Sequence, residues 1–126
     1  MKHNRVLICA MLGIALAAAV FAADITGTWT ATFDTQVGQQ KYTYTFKQTG
    51  TKLTGKAKSQ SDVINADTEI TEGSVNGDDV SFVENLDFQG MPLRIVYKGK
   101  VAGNEIKFTR TVLEMITEEL VAKKAK

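Results

Sequence analysis

Two eleven-residue stretches, 26 positions apart, limit most strongly what this chain can become. Glu72-Gly73-Ser74-Val75-Asn76-Gly77-Asp78-Asp79-Val80-Ser81-Phe82 and Lys98-Gly99-Lys100-Val101-Ala102-Gly103-Asn104-Glu105-Ile106-Lys107-Phe108 share one pattern. It runs x-Gly-x-Val-x-Gly-(Asp/Asn)-acid-β-branched-x-Phe. Each copy reads as two strands joined by a tight turn, because Gly, Asn and Asp tolerate the positive φ such turns need. A hairpin cannot stand alone in water, so the rest of the chain must bury one face of it and cover its edges. The Asp78-Asp79 pair raises calcium as a ligand. Turn chemistry explains it better, since no loop of alternating oxygen ligands surrounds it.

The remaining segments supply further strands. Ile25-Thr26-Gly27-Thr28-Trp29-Thr30-Ala31-Thr32-Phe33 alternates apolar or small with polar residues and holds the only Trp, the period of a half-buried strand. Asp34 to Gln40 is polar and reads as a loop. Tyr42-Thr43-Tyr44-Thr45-Phe46 alternates aromatic residues with Thr, both suited to a pleated surface. Gln48 to Lys52 reads as a turn, and Leu53 to Lys58 as a third strand whose small Gly55 and Ala57 face the bulky second one. Large against small fills a narrow β core. Ser59 to Ala66, with Val63 and Ile64 inside it, reads as a polar connection. Strands follow over Val80–Phe88, Leu93–Val101 and Asn104–Val112, with Pro92 at a strand start, where its missing N–H does least harm. After Leu113 the pattern divides: Leu113, Ile116 and Leu120 fall at helical spacing, whereas Glu119–Lys123 also suits a strand.

The first 22 residues carry a different signature. A short basic start with Lys2 and Arg5, an apolar run from Val6 to Val20, and Val20-Phe21-Ala22 before Ala23-Asp24 make the three-part pattern of a cleaved secretory signal. An uncleaved anchor is the competing reading of the same run, at the short end for a span. Cleavage places residues 23–126 outside the cytoplasm, in a periplasmic or extracellular space, as one domain. His3 and Cys9, the only His and Cys, leave with the signal. Thiol nucleophiles, Ser-His-Asp triads, Cys/His zinc sites and disulfides are then excluded within one mature chain. The chain has 15 Lys and Arg against 14 Asp and Glu, and losing Lys2 and Arg5 keeps the balance near zero. That gives no electrostatic case for nucleic acid or anionic membrane as a partner, and no motif calls for a metal or a cofactor.

Counting a terminal strand, eight consecutive strands are joined mostly by short turns. Closing them into an antiparallel up-and-down β-barrel buries one face and removes the edges; a two-sheet β-sandwich is the alternative. Ile25-Thr26-Gly27-Thr28-Trp29, followed by Gly50-Thr51-Lys52-Leu53-Thr54-Gly55, resembles the opening hairpins of calycin barrels, the avidin-like and lipocalin-like proteins. The Gly-x-Val-x-Gly turns and the final Glu-Leu-Val-Ala-Lys also resemble small secreted bacterial β-proteins of an uncharacterised family. The calycin resemblance implies that Trp29, beside Gly27, plugs one barrel end, with a basic residue of the last strand, here Lys123, packed across it. Biotin recognition is not implied, because the several Trp residues of an avidin pocket have no counterparts.

Period 2 then fixes which polar groups aim inward. Val80, Phe82, Glu84, Leu86 and Phe88 share one face, and Ile106, Phe108, Arg110 and Val112 share another. Tyr44 and Tyr97 join the inward set. A buried acid and base are rarely left apart, so Glu84 and Arg110 form either a structural ion pair or the polar end of a ligand cavity. The latter defines a candidate binding site of Tyr44, Phe46, Phe82, Glu84, Tyr97, Phe108 and Arg110, holding a small apolar or amphipathic molecule. The alternative is a protein-interaction domain, an inhibitor or accessory module, acting through mouth loops such as Phe88–Leu93 with Met91. Catalysis by Glu84 is the weakest reading: Arg110 would lower the pKa that burial raises, and no second inward carboxylate is evident. Outward Lys56, Lys58, Arg94, Lys98 and Lys100 read as a solvated face that discourages edge pairing.

Overall fold

In the computed structural model, which describes residues 23–36, 38–61 and 64–125, the alternating segments become eight strands: β1 (Gly27–Thr35), β2 (Gly38–Thr49), β3 (Lys52–Gln60), β4 (Asn65–Asn76), β5 (Asp79–Phe88), β6 (Met91–Ala102), β7 (Glu105–Val112) and β8 (Ile116–Lys124). Each pairs antiparallel with its chain neighbours, and β8 returns to β1, so the sheet closes into an eight-stranded barrel. The sandwich alternative does not form. The proposed signal segment, with His3 and Cys9, lies outside the described residues, as does Val63.

The strands run further than their apolar residues. Asp34 belongs to β1, and Gly38 to Gln40 to β2, with the ladder continuing to Thr35↔Gly38; the expected loop shrinks to the tip of a hairpin. Ser59 and Gln60 likewise extend β3, and Asn65 and Ala66 begin β4. The outer face of a barrel wall is wet, so polar residues continue a ladder as well as apolar ones do. The repeated motif forms two hairpins whose turn glycines, Gly77 (φ 59°) and Gly103 (φ 63°), take the left-handed conformation the pattern predicts. At Asp78-Asp79, the second acid bridges Lys100 at 2.8 Å, and among the described residues no three His, Cys, Asp or Glu gather to hold a metal.

The end of the chain is a strand, not a helix. Leu113 and Glu114 turn the backbone through positive φ (52° and 60°), and Ile116–Lys123 then pairs along β7 from Val112↔Ile116 to Glu105↔Lys123. The outward basic residues face acids across the ladder, as in Lys56↔Glu69 and Lys58↔Asp67, and Arg94 bridges Glu72 at 2.8 Å. In a closed wall they guard no edge.

One end of the barrel is shut. Ile25 and Trp29 are buried there, and the indole Nε1 donates to the Ile25 carbonyl at 2.9 Å. The Ile25 amide in turn donates to Gln48 Oε1 at 2.9 Å. The basic cover is Lys124, whose Nζ stands 5.9 Å from the Trp29 ring centroid and whose residue pairs with Trp29 in the ladder. Lys123, the expected cover, is exposed and pairs with Thr30. The correction is one residue, and one residue flips a strand side chain to the other side of the sheet. Because Trp29 is the sole Trp, its fluorescence reports the difference. Lys124→Ala is expected to red-shift its emission and cost about 0.5–1 kcal/mol, the value of a cation–π contact, while Lys123→Ala leaves the spectrum unchanged.

Above the plug the interior is filled by aromatic rings. Tyr42, Tyr44 and Phe46 stack along β2 with centroids 5.3 and 5.7 Å apart. Phe82 lies on Tyr97 at 4.3 Å, and Phe108 meets both edge-on at 5.6 Å. Eight strands enclose just enough width for such a column of side chains.

Candidate functional site

The polar layer begins where the aromatic column ends. Period 2 carries Glu84 inward on β5, Tyr97 on β6 and Arg110 on β7, and the ladder sets Tyr97 directly opposite both Phe82 and Arg110. Glu84 is fully buried and Arg110 is 5% exposed. The Tyr97 hydroxyl joins them: it donates to Glu84 Oε1 at 2.9 Å and accepts from Arg110 Nη1 at 2.7 Å and from the Tyr44 hydroxyl at 3.0 Å. Tyr42 donates to the other carboxylate oxygen, Glu84 Oε2, at 3.0 Å. The guanidinium and the Glu84 carboxylate stand 3.9 Å apart, so the tyrosine hydroxyl mediates most of their contact.

Arg110 has a nearer partner that the alternation of the earlier strands does not reveal. Glu118, directly across the ladder on β8, accepts from Arg110 Nε at 2.7 Å. The guanidinium carbon also lies 5.0 Å from the Phe33 ring centroid and 5.1 Å from that of Tyr42. A second inward carboxylate therefore exists, contrary to expectation. Arg110 bonds Glu118 and stands beside Glu84, so the two acids share one cation and do not form a free pair flanking open space.

Burial dominates the electrostatics of this layer. Desolvation raises the Glu84 carboxyl above its ordinary value, against the pull of Arg110 and the two tyrosine hydrogen bonds. It pushes the Tyr42 phenol up to about 12, with the Glu84 charge adding to the effect, and holds Tyr44 and Tyr97 well above the phenol range. For Arg110, burial opposes the charge but Tyr97, Tyr42 and Glu84 outweigh it, and the guanidinium stays protonated.

This layer forms part of the floor of a cavity of about 160 Å3 that opens at the end opposite Trp29. Arg110, Glu118 and Tyr42 are its charged and phenolic members, and Ile64, Leu86, Phe88, Leu93, Ile95, Val112 and Ile116 make apolar walls. Gln40, from the segment expected to be a loop, also lines it. Of the seven candidate residues, Arg110 alone borders this cavity. Glu84 and Tyr97 belong to the polar network, while Tyr44, Phe46, Phe82 and Phe108 pack against one another in the ring column. Tyr42 was legible from its period with Tyr44; Glu118 required knowing that the last segment is a strand.

A larger hollow of about 660 Å3 lies where β1 and β8 part, along Thr30–Phe33 and Glu119–Val121. The two strands share only the pairs Trp29↔Lys124 and Thr30↔Lys123. Its lining includes the outward Lys107, Thr109, Glu119 and Lys123, which makes it a seam in the wall and not an enclosed site. The mouth, by contrast, has apolar walls over a polar floor. Comparisons of the chain with protein-family models, with curated proteins and with solved structures find no match.

Proposed function

We propose that this protein is an exported, non-enzymatic binding module that holds a small apolar or amphipathic molecule in the open mouth of a calycin-like barrel. The observation that carries the reading is the mouth cavity of about 160 Å3, with aliphatic and aromatic walls above Arg110, Glu118 and Tyr42. A cavity of roughly 150 Å3 lined by apolar side chains takes a molecule the size of benzene. The site therefore suits a single ring or a short branched chain, or one end of a longer amphipathic molecule. The basic, apolar, small-residue order of positions 1–22 supports export. Absence of catalysis is supported by the state of Glu84, which is fully buried, accepts from two tyrosines and does not border the cavity.

Native mass spectrometry of the protein purified from its own compartment tests this reading. It is expected to show a small-molecule adduct that Leu93→Trp, which fills the mouth, removes. An adduct that survives Leu93→Trp, or none in the parent protein, would sink the proposal. One observation favours the interaction-domain reading: the exposed Met91, Leu113 and Met115 (77% exposed) all sit at the mouth rim, Met91 as the first residue of β6 and the other two in the turn before β8. The same experiment separates the two, since that reading predicts a copurifying protein in place of the small molecule.

A further inference from the structure

Gln40 on β2 is 2% exposed and lines the mouth cavity. Neither its Nε2 nor its Oε1 has a hydrogen-bond partner among the described residues. Buried amides are nearly always paired, because water is lost without compensation when they are not. The polar groups of the floor bond one another and not Gln40: Arg110 donates through Nε to Glu118 and through Nη1 to Tyr97, and the Tyr42 hydroxyl donates to Glu84. An amide presents a donor and an acceptor side by side, so its complement is a group that presents an acceptor and a donor side by side.

The charge of the floor narrows the class further. One guanidinium, Arg110, stands among two carboxyls, Glu84 at 3.9 Å and Glu118 at 2.7 Å. If Glu84 is ionised the cluster carries one net negative charge; if it is protonated the cluster is neutral. In neither state is it positive, so an anion gains nothing from entering an apolar-walled mouth and loses its hydration. From these two observations together we infer that the mouth selects an uncharged ligand bearing a carboxamide, lactam or urea group, read by a two-point hydrogen bond to Gln40. The inference rests on the mouth-binding reading above and adds the chemistry of the head group.

Three single-ring probes of near-equal size separate the possibilities: toluene, benzamide and benzoate, titrated into the full chain at neutral pH and followed by NMR shifts of mouth residues. Benzamide is expected to bind about tenfold tighter than toluene, the discrimination of one well-made buried polar contact, and benzoate weakest. Gln40→Met, unbranched and of similar length, is expected to bring benzamide to the level of toluene while toluene binding persists. It should also raise the melting temperature of the unliganded protein by several degrees, because it removes an unpaired buried amide. Equal binding of toluene and benzamide to the parent protein overturns the inference and leaves the mouth as an apolar site. Tightest binding of benzoate overturns it in favour of Arg110 as the reader. Failure of all three overturns the mouth reading along with it. If Gln40→Met does not fold, the ranking on the parent protein decides the question alone.

Discussion

Arg110→Met is expected to destabilise the fold by about 3–5 kcal/mol at neutral pH, the usual cost of stripping one partner from a buried ion pair. Against the total of roughly 5–15 kcal/mol that a domain of this size possesses, that is a large share. The side chain it removes bonds Glu118, bonds the Tyr97 hydroxyl and stands 3.9 Å from Glu84. What remains is a fully buried Glu84 with two phenol donors and no cation. Urea unfolding of the variant beside the parent protein checks the figure, and a difference under about 1 kcal/mol would refute it.

The cost should depend on pH in a defined direction. Burial raises the Glu84 carboxyl above its reference value of 4.5, so the folded chain holds that proton more tightly than the unfolded chain does. Such a group lowers stability above its folded pKa, and the penalty fades as the pH falls from there toward 4.5. Without Arg110, which pulls the value down, the rise is greater and the effect larger. The variant is therefore expected to lose less stability relative to the parent at mildly acidic pH than at neutral pH. Adding Glu84→Gln should recover part of the loss at neutral pH and flatten the dependence, since the uncompensated charge is gone.

How far the sequence discloses this site depends on what each residue's position requires one to know. Glu84 and Arg110 are legible because each sits two past the Phe of a repeated hairpin, and period 2 carries them to the interior with it. Glu118 is hidden by its own segment: Leu113, Ile116 and Leu120 match a helix, and only pairing to β7, a contact set by the closing of the barrel, turns the segment into a strand. Gln40 is hidden for the opposite reason. It lies in a polar stretch that looks like a loop, yet the β1–β2 ladder runs past it, as far as Thr35↔Gly38. Lys124 shows the finest limit. A basic residue of the last strand is expected over Trp29, and one stands there, but which of two adjacent lysines it is depends on register. The filled ring column is not legible either: alternation says that Tyr44, Phe46, Phe82 and Phe108 point inward, not that they meet in the middle and close the space between plug and mouth.

The largest expected effect of a single methyl group belongs to Gly55→Ala, which should prevent stable folding. Gly55 on β3 faces Phe46 of β2, and its φ of +149° is one that side-chain-bearing residues rarely adopt. A Cβ placed there would lie 1.9 Å from the Thr45 carbonyl oxygen and 3.1 Å from the Phe46 Cα. Both obstacles are backbone in the middle of a ladder, so no rotamer change relieves them. Moving β2 away would break its registered pairs with β3 and disturb the stack of Tyr42, Tyr44 and Phe46. Phe46 also packs edge-on against Phe82 at 5.5 Å, so the disturbance reaches the column on which the mouth floor rests. A loss of more than about 4 kcal/mol is expected, in the range reserved for steric conflict in the core and special backbone conformations. Gly50 supplies the control. It also has a positive φ, +62°, but a Cβ there meets nothing within 4 Å, so Gly50→Ala should cost only the left-handed penalty of about 1–2 kcal/mol. Circular dichroism melts of the two variants side by side measure the contrast. If Gly55→Ala melts within a few degrees of Gly50→Ala, the close approach of β2 and β3 at Phe46 is not what holds this wall together.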